Sequence, residues 1–432
     1  MQGIGINRYD AITARKMIVD GRFTATAYLR ACLDRIAERE ADIGAWTHLA
    51  RESALAQSVA ADARPGSGAL YGIPIAIKDI IDTYDMPTEH GSAVYKGSIP
   101  HADAACVAML RRAGAIILGK TVSPEFAAFT PGRTVNPHNF NHTPGGSSSG
   151  SAAAVADFMV PAALGSQTVG STIRPASYCG IIGFMPSHQI LPMEGVKAQS
   201  GLLDNLGILT RSVADVALVT NAILGCEVLQ AEPLERPPRI GFCPSPHWPQ
   251  AEASTQQVME DAIALLRKAG ATIDDVDLPT SFDDALAAHW TILAFEFARA
   301  MAFEYNVHAK GLSPGLIELI ERGFATPFAD YLAACTLAVA RRRDFAAIIA
   351  DYDVLLTPAA AGEAPADLLV ANDRLFQRFW TVLHVPAITL PGFVGPNNLP
   401  IGIQLIGPHF EDLKLLRAAA WVERAIRPHP RA

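Results

Sequence analysis

The chain has 432 residues, half of them hydrophobic and 18% charged, with a formal net charge of −8. That composition is ample for a large core and argues against disorder, and its negative balance argues against a nucleic-acid surface, which needs a positive face. No apolar run approaches ~18 residues free of charge, and Met1 to Asp20 holds no apolar secretory segment, so no membrane contact is expected and the expected location is cytoplasmic.

In chain order, residues 9–63 read as helices. Ala11, Ile12, Ile18 and Val19, then Tyr28, Leu29, Cys32, Leu33 and Ile36, recur at helical spacing. Ile73 to Asp79 reads as a short buried strand whose last residues are charged. Residues 103–113 form an amphipathic helix that stops at Gly114, and 115–120 a second buried strand. A Ser-rich helix follows, then a strand over 160–164. From about 212 the chain turns more helical, with helices over 254–269, 283–305, 328–350 and 411–425. Strands are expected at 239–242, 272–278, 354–358, 387–391 and 401–406. Helix alternating with strand predicts an α/β fold, one large domain with a central mixed sheet flanked by helices.

The six cysteines (Cys32, Cys106, Cys179, Cys226, Cys243, Cys335) form no CxxC pair, so buried free thiols in a reducing compartment are expected. Chemistry concentrates instead in three places. Lys78 closes the first buried strand. Pro144 to Ala156 packs glycines and serines ahead of small helix formers. Gly165 to Ala176 reads Gly-Ser-Gln-Thr-Val-Gly-Ser-Thr-Ile-Arg-Pro-Ala. Glycine admits backbone conformations that a side chain forbids, and a buried hydroxyl cluster needs hydrogen-bond partners.

In this order the three segments resemble the amidase signature family. The resemblance is densest from Tyr71 to Asp215 and also takes in Gly114 to Phe126, Asn136-Pro137, Cys179-Gly180 and Leu399 to Gly407. It implies that residues 1–432 are one amidase domain with its signature core at about 71–215. It also implies a Ser–Ser–Lys triad with Ser171 as nucleophile, Ser147 as bridging serine and Lys78 as base. The two serines stand 24 positions apart, in agreement with the family. A cis bond is expected at Gly146–Ser147, and the backbone N–H groups of Thr168, Val169, Gly170 and Ser171 are expected to form an oxyanion hole. Gln167 and Val169 depart from the Asp and Gly common in the family. The implied activity is hydrolysis of a non-peptide C–N bond (amide, aryl amide, carbamate or urea type) in a small molecule, without cofactor or metal. A homodimer is the assembly left open. The alternative is an A-subunit-like component of a glutamine-dependent tRNA amidotransferase.

The residues support other chemistries less well. Gly146 to Gly150 fits G-x-S-x-G with Ser148 as nucleophile, but that elbow needs a preceding strand, and His142-Thr143-Pro144 is a poor one. No G-x-x-x-x-G-K-[ST] phosphate loop exists. His138 and His142 have the i, i+4 spacing of a metal pair, yet Pro137 and the residues between them read as loop. Arg341 to Arg343 reads as a solvated helix face, and Arg174 as a structural cation holding the loop after the nucleophile.

Overall fold

Eleven strands form one mixed sheet in the computed structural model, which describes residues 5–63, 66, 68–128, 130–229, 231–368 and 375–426. The strands are β1 (Trp46–Leu49), β2 (Pro74–Lys78), β3 (Ile116–Thr121), β4 (Ala162–Gln167), β5 (Ile182–Met185), β6 (Asn205–Thr210), β7 (Arg239–Phe242), β8 (Thr272–Asp275), β9 (Val354–Pro358), β10 (Ala387–Val394) and β11 (Pro400–Ile406). Their order across the sheet is β1-β3-β2-β4-β6-β5-β10-β11-β9-β7-β8. β2 runs parallel to both neighbours, β3 and β4, and β7 runs parallel to β8 and β9. The other pairs are antiparallel.

Helices cover both faces. The first seven are α1 (Ala11–Val19), α2 (Ala25–Ile43), α3 (Arg51–Ala63), α4 (Ala105–Arg112), α5 (Ser149–Ala156), α6 (Ile173–Cys179) and α7 (Val213–Leu224). The rest are α8 (Ala253–Lys268), α9 (Asp283–Ala300), α10 (Ala302–His308), α11 (Pro314–Ala325), α12 (Phe328–Ile349), α13 (Leu375–Val382) and α14 (Asp412–Ile426). Side-chain caps mark several starts: Asp10, Thr24 and Ser212 each accept from a backbone N–H of the first turn. The fold is the expected single α/β domain, although the ends of the 1–432 span, residues 1–4 and 427–432, lie outside the described residues.

The strand at 160–164 lies two residues later, as β4, and the helix at 283–305 divides at Met301 into α9 and α10. β1, β5, β6, α11 and α13 are elements that the apolar pattern did not single out. Cys226 is exposed and Cys335 partly so, against the expectation of buried thiols, while the other four are buried. Among the described residues no single helix is long and apolar enough to cross a membrane.

What positions the site is the parallel trio β3-β2-β4. Every residue of these three strands is buried, so both of their faces meet protein. Such strands read as continuous apolar runs rather than alternating ones. The C-terminal ends of β2 and β4 lie side by side, which is where parallel sheets hold ligands. α5 packs on these three strands because, Val155 apart, it is made of Gly, Ser and Ala. A methyl added at Gly150 would stand 2.2 Å from the Ala45 carbonyl oxygen and 2.4 Å from the Val122 nitrogen.

Candidate active site

Lys78 is the last residue of β2 and is fully buried. Its Nζ lies 2.7 Å from Ser147 Oγ and 2.8 Å from Ser166 Oγ. Among the described residues it forms no ion pair. The neighbouring Asp79 accepts from the backbone N–H groups of Glu89 and Gly91. Burial holds the Lys78 ammonium well below the ordinary lysine value, opposed by the charge of Asp204. A neutral amine offers two donors and one lone pair. It can donate to Ser166 while its lone pair faces the Ser147 hydroxyl.

Ser147 sits in the turn before α5, and the Gly146–Ser147 peptide bond is cis, as expected. Gly145 ahead of it has φ +77°, and a methyl there would meet Pro175 and Tyr178. Arg174, buried, donates from Nη2 to the Gly146 carbonyl oxygen, so it braces the Ser147 turn from α6. The expectation was a salt bridge holding the loop after the nucleophile; the bond shown is instead to a carbonyl of the serine turn.

Ser171 follows β4 in the turn that leads into α6 and lines the same cavity as Ser147. Its carbonyl accepts from the Ser148 N–H at 3.2 Å. Gln167 explains how this turn holds its shape. Its Oε1 accepts from the N–H groups of Thr172 and Ile173 at 3.0 and 3.1 Å, so a neutral amide oxygen caps α6. Its Nε2 contacts Met185 Sδ and Thr381 Oγ1. Neither Val169 nor Gly170 takes a positive φ, so the backbone at 169 suits valine. Gly170 is fixed by its neighbour instead, since a methyl there would stand 2.6 Å from Gln377 Oε1 on α13. Among the described residues, the N–H groups of Val169, Gly170 and Ser171 have no hydrogen-bond acceptor within the protein.

Three further side chains bear on the site, two on this turn and one on Lys78, and the sequence did not reveal them. His289, on α9, donates from Nε2 to the Thr168 carbonyl at 3.0 Å. Asp204 accepts from Thr168 Oγ1 at 2.6 Å and from the N–H groups of Gln199 and Ser200 at 2.7 and 3.0 Å. Burial pushes the Asp204 carboxyl up to about 6. Ser166, within the Gly165 to Ala176 segment, is the second partner of Lys78. Each of these three residues meets a partner dozens of positions away, so no local spacing signals its role.

A cavity of about 30 Å³ lies between Ser147 and Ser171. Gly146, Val169, Arg174 and Gln199 line the sheet side, and Trp290, Leu293, Phe297 and Leu319 of α9 and α11 the other. Roomier hollows near Gln189 and Lys414 contain none of the three expected residues.

The rival readings fail on geometry. Ser148 is fully buried and its hydroxyl bonds the backbone of Ser166, and no strand precedes it. His138 Nε2 meets the Cys179 carbonyl and His142 Nδ1 the Ala364 carbonyl, so the two rings serve different segments. Among the described residues no group of three or more His, Cys, Asp or Glu is placed to hold a metal ion. The arginine run is not a uniform solvated face. Arg341 pairs with Asp284 and Asp344, Arg342 bonds Val382 and His384, and Arg343 alone is exposed.

Comparison with known proteins matches residues 27–416 to the Amidase family. The A-subunit of the glutamyl-tRNA(Gln) amidotransferase of Halothermothrix orenii is 32% identical, with 91% of this chain and 92% of that protein covered. Among solved structures, the peptide amidase of Stenotrophomonas maltophilia superposes with a TM-score of 0.84 at 28% identity, covering 98% of each chain. A protein described in a vestigial complex that reveals the origins of an s-triazine catabolic enzyme superposes at 0.89 with 27% identity, covering 98% of this chain and all of that one.

Proposed function

Because the chain belongs to the amidase family, we propose that it cleaves the C–N bond of a small amide through an acyl-enzyme on Ser171. The observation that carries this reading is Lys78 Nζ, buried and, among the described residues, without an ion pair, 2.7 Å from Ser147 Oγ in a turn that shares its cavity with Ser171.

The proposed steps balance. Ser171 Oγ attacks the acyl carbon, its proton passes to Ser147 Oγ, and the Ser147 proton passes to the Lys78 lone pair. The carbonyl oxygen becomes an oxyanion facing the N–H groups of Thr168, Val169, Gly170 and Ser171, where one donor is worth about 2.7–4 kcal/mol. Lys78 returns the proton through Ser147 to the leaving nitrogen, which departs as amine or ammonia. Water then frees the acid from Ser171 by the same relay. The wall of Trp290, Leu293, Phe297 and Leu319 favours an apolar acyl or amine substituent. An aryl amide, carbamate or urea presents the same acyl carbon to the same groups.

A second reading has an observation of its own. The chain spans 92% to 97% of several relatives that are named as the A-subunit of glutamyl-tRNA(Gln) amidotransferase. These relatives speak more directly for that alternative than for a free-standing amidase. In it, Ser171 would take its acyl group from glutamine, and the ammonia would pass to a partner chain. The bond cleaved and the residues used are the same.

Amine release by the purified chain separates the two. The panel holds aliphatic amides, anilides, carbamates, ureas and glutamine. Turnover of simple amides by the chain alone supports the first reading. Turnover confined to glutamine and dependent on added partner chains supports the second. No turnover of any member, and no acylation of Ser171, would remove both.

A further inference from the structure

We propose that Gln199 recognises the nitrogen of the scissile bond. Its side-chain oxygen accepts the substrate N–H, so the site takes amides with a hydrogen on that nitrogen in preference to esters and fully substituted amides. This rests on the acylation of Ser171 proposed above and names what the same cavity selects. Gln199 lines that cavity and is only 9% exposed. It is fixed at both ends. Its backbone N–H donates to Asp204 Oδ2 at 2.7 Å, and its Nε2 donates to the Phe126 carbonyl at 2.6 Å. A carbonyl oxygen only accepts, so the amide must turn its NH2 group to Phe126 and leave Oε1 free. Among the described residues Oε1 has no hydrogen-bond partner, and it is not one of the orphaned atoms sealed from solvent. The turn that anchors it is unusual. Phe126 and Ala127 take φ of +46° and +57°, the left-handed region that side chains disfavour. Gln199 bonds the carbonyl of the first, and the second forms adjoining wall of the cavity. Backbone held in such a region clusters where a site demands its shape.

The other polar side chains of the cavity show why one acceptor matters. They are the hydroxyls of Ser147 and Ser171, which the proposed relay uses, the Arg174 guanidinium and the Trp290 indole N–H. The last two only donate. Among the described lining residues, Gln199 therefore supplies the one side-chain acceptor that is not a hydroxyl. An amide brings the complement: a carbonyl oxygen for the N–H groups of the turn after β4, and an N–H for Gln199. An ester of the same shape brings a second oxygen instead, which would leave Oε1 desolvated and unpaired. A site built to bond a substrate N–H rejects an analogue that lacks it, here by about tenfold or more. With the N–H held, the nitrogen keeps its lone pair for the proton that Ser147 returns.

The test is kcat/KM for acetanilide, N-methylacetanilide and phenyl acetate, on wild type, Gln199→Met and Gln199→Leu. The three probes share the acetyl group, so each reports its transfer to Ser171. Wild type should prefer acetanilide to N-methylacetanilide by about tenfold or more. Gln199→Met, matched in length, should lower kcat/KM for acetanilide about tenfold or more and leave the other two within about threefold. A residue that only holds the Phe126 turn would lower all three together, and that result would overturn the proposal. So would an unchanged acetanilide rate in either folded variant, or a wild type that fails to cleave acetanilide. Circular dichroism checks the fold, and the wild-type comparison stands even if both variants fail it. Fluorophosphonate labelling of Ser171 keeps the two claims apart. A labelled Ser171 without this selectivity removes the role of Gln199 alone, and an unlabelled one removes the acylation reading beneath it.

Discussion

Lys78 and Lys120 lie fully buried on neighbouring strands, and what their amines touch tells them apart. Lys120 donates to Thr88 Oγ1 and to the Ile81 carbonyl, near Asp79 and Asp82, and burial pushes it down to about 8. It ties the segment after β2 to the sheet. Lys78 meets two serine hydroxyls beside a cavity. If Lys78 is the base, kcat/KM rises with pH as its ammonium loses a proton, with a midpoint well below about 10.4. Lys78→Arg keeps a charge but supplies no lone pair, so it should fall as far as Lys78→Ala, about 10²–10⁴-fold. Substantial turnover by a folded Arg variant would contradict this. Asp204 acts through others. Its charge raises the proton affinity of Lys78, and its carboxylate holds Thr168. Asp204→Asn removes the charge, so Lys78 deprotonates at lower pH and the rising limb of kcat/KM moves to lower pH. The amide oxygen can keep the Gln199 and Ser200 N–H groups only if its NH2 turns to Thr168 Oγ1, which must then accept instead of donate, and this reversal at the turn should lower kcat about tenfold or more. A purely structural role would lower the rate and leave the limb in place. Lys78, Ser147 and Ser171 were named through the resemblance to the amidase signature family, because each sits in one of its motif segments, and none stands out by its local pattern alone. Ser166, His289 and Asp204 were not named, because their roles depend on contacts far apart in sequence.

At the scale of elements, α5 shows why its sequence is so small. Gly150 presses on the Ala45 carbonyl and on Val122, and Ser151 bonds Thr121 Oγ1 and the Leu164 carbonyl. A helix of larger residues could not lie against β3 and β4 and still place Ser147 beside Lys78. Gly150→Ala should therefore cost about 3 kcal/mol or more, the upper range for overpacking, with a lower Tm and lost activity. An unchanged Tm in thermal denaturation would mean that α5 can withdraw from β3. The elements that the pattern missed share physical reasons. β1 is a four-residue edge strand between two helices, paired only with β3. β5 and β6 are buried throughout, so they show no alternation to read. α11 lies between breaks at 311–314 and 326–327 that read as ends of the flanking helices. α13 has only eight residues, yet its Gln377 fixes Gly170 and donates to the Ala359 carbonyl.

On the scale of the whole molecule, the pattern of alternating helices and strands was enough to give the α/β class, because sequence period reports burial directly. Sheet order was not available from it. The pairing of β10 with β5 brings together residues some 200 positions apart, and that of β11 with β9 residues about 50 apart. The same assembly of distant segments builds the cavity, whose sheet side comes from the signature core and whose far wall comes from α9 and α11. Both functional readings use that cavity and the same acylated serine, so the identity of that serine is the central claim. The direct measurement is peptide mass spectrometry after reaction with a fluorophosphonate, on wild type, Ser171→Ala and Lys78→Ala. The account predicts one adduct, on Ser171, absent from Ser171→Ala and much slower to form in Lys78→Ala. A stable adduct on Ser147 or Ser148, or undiminished labelling of folded Ser171→Ala, would contradict it.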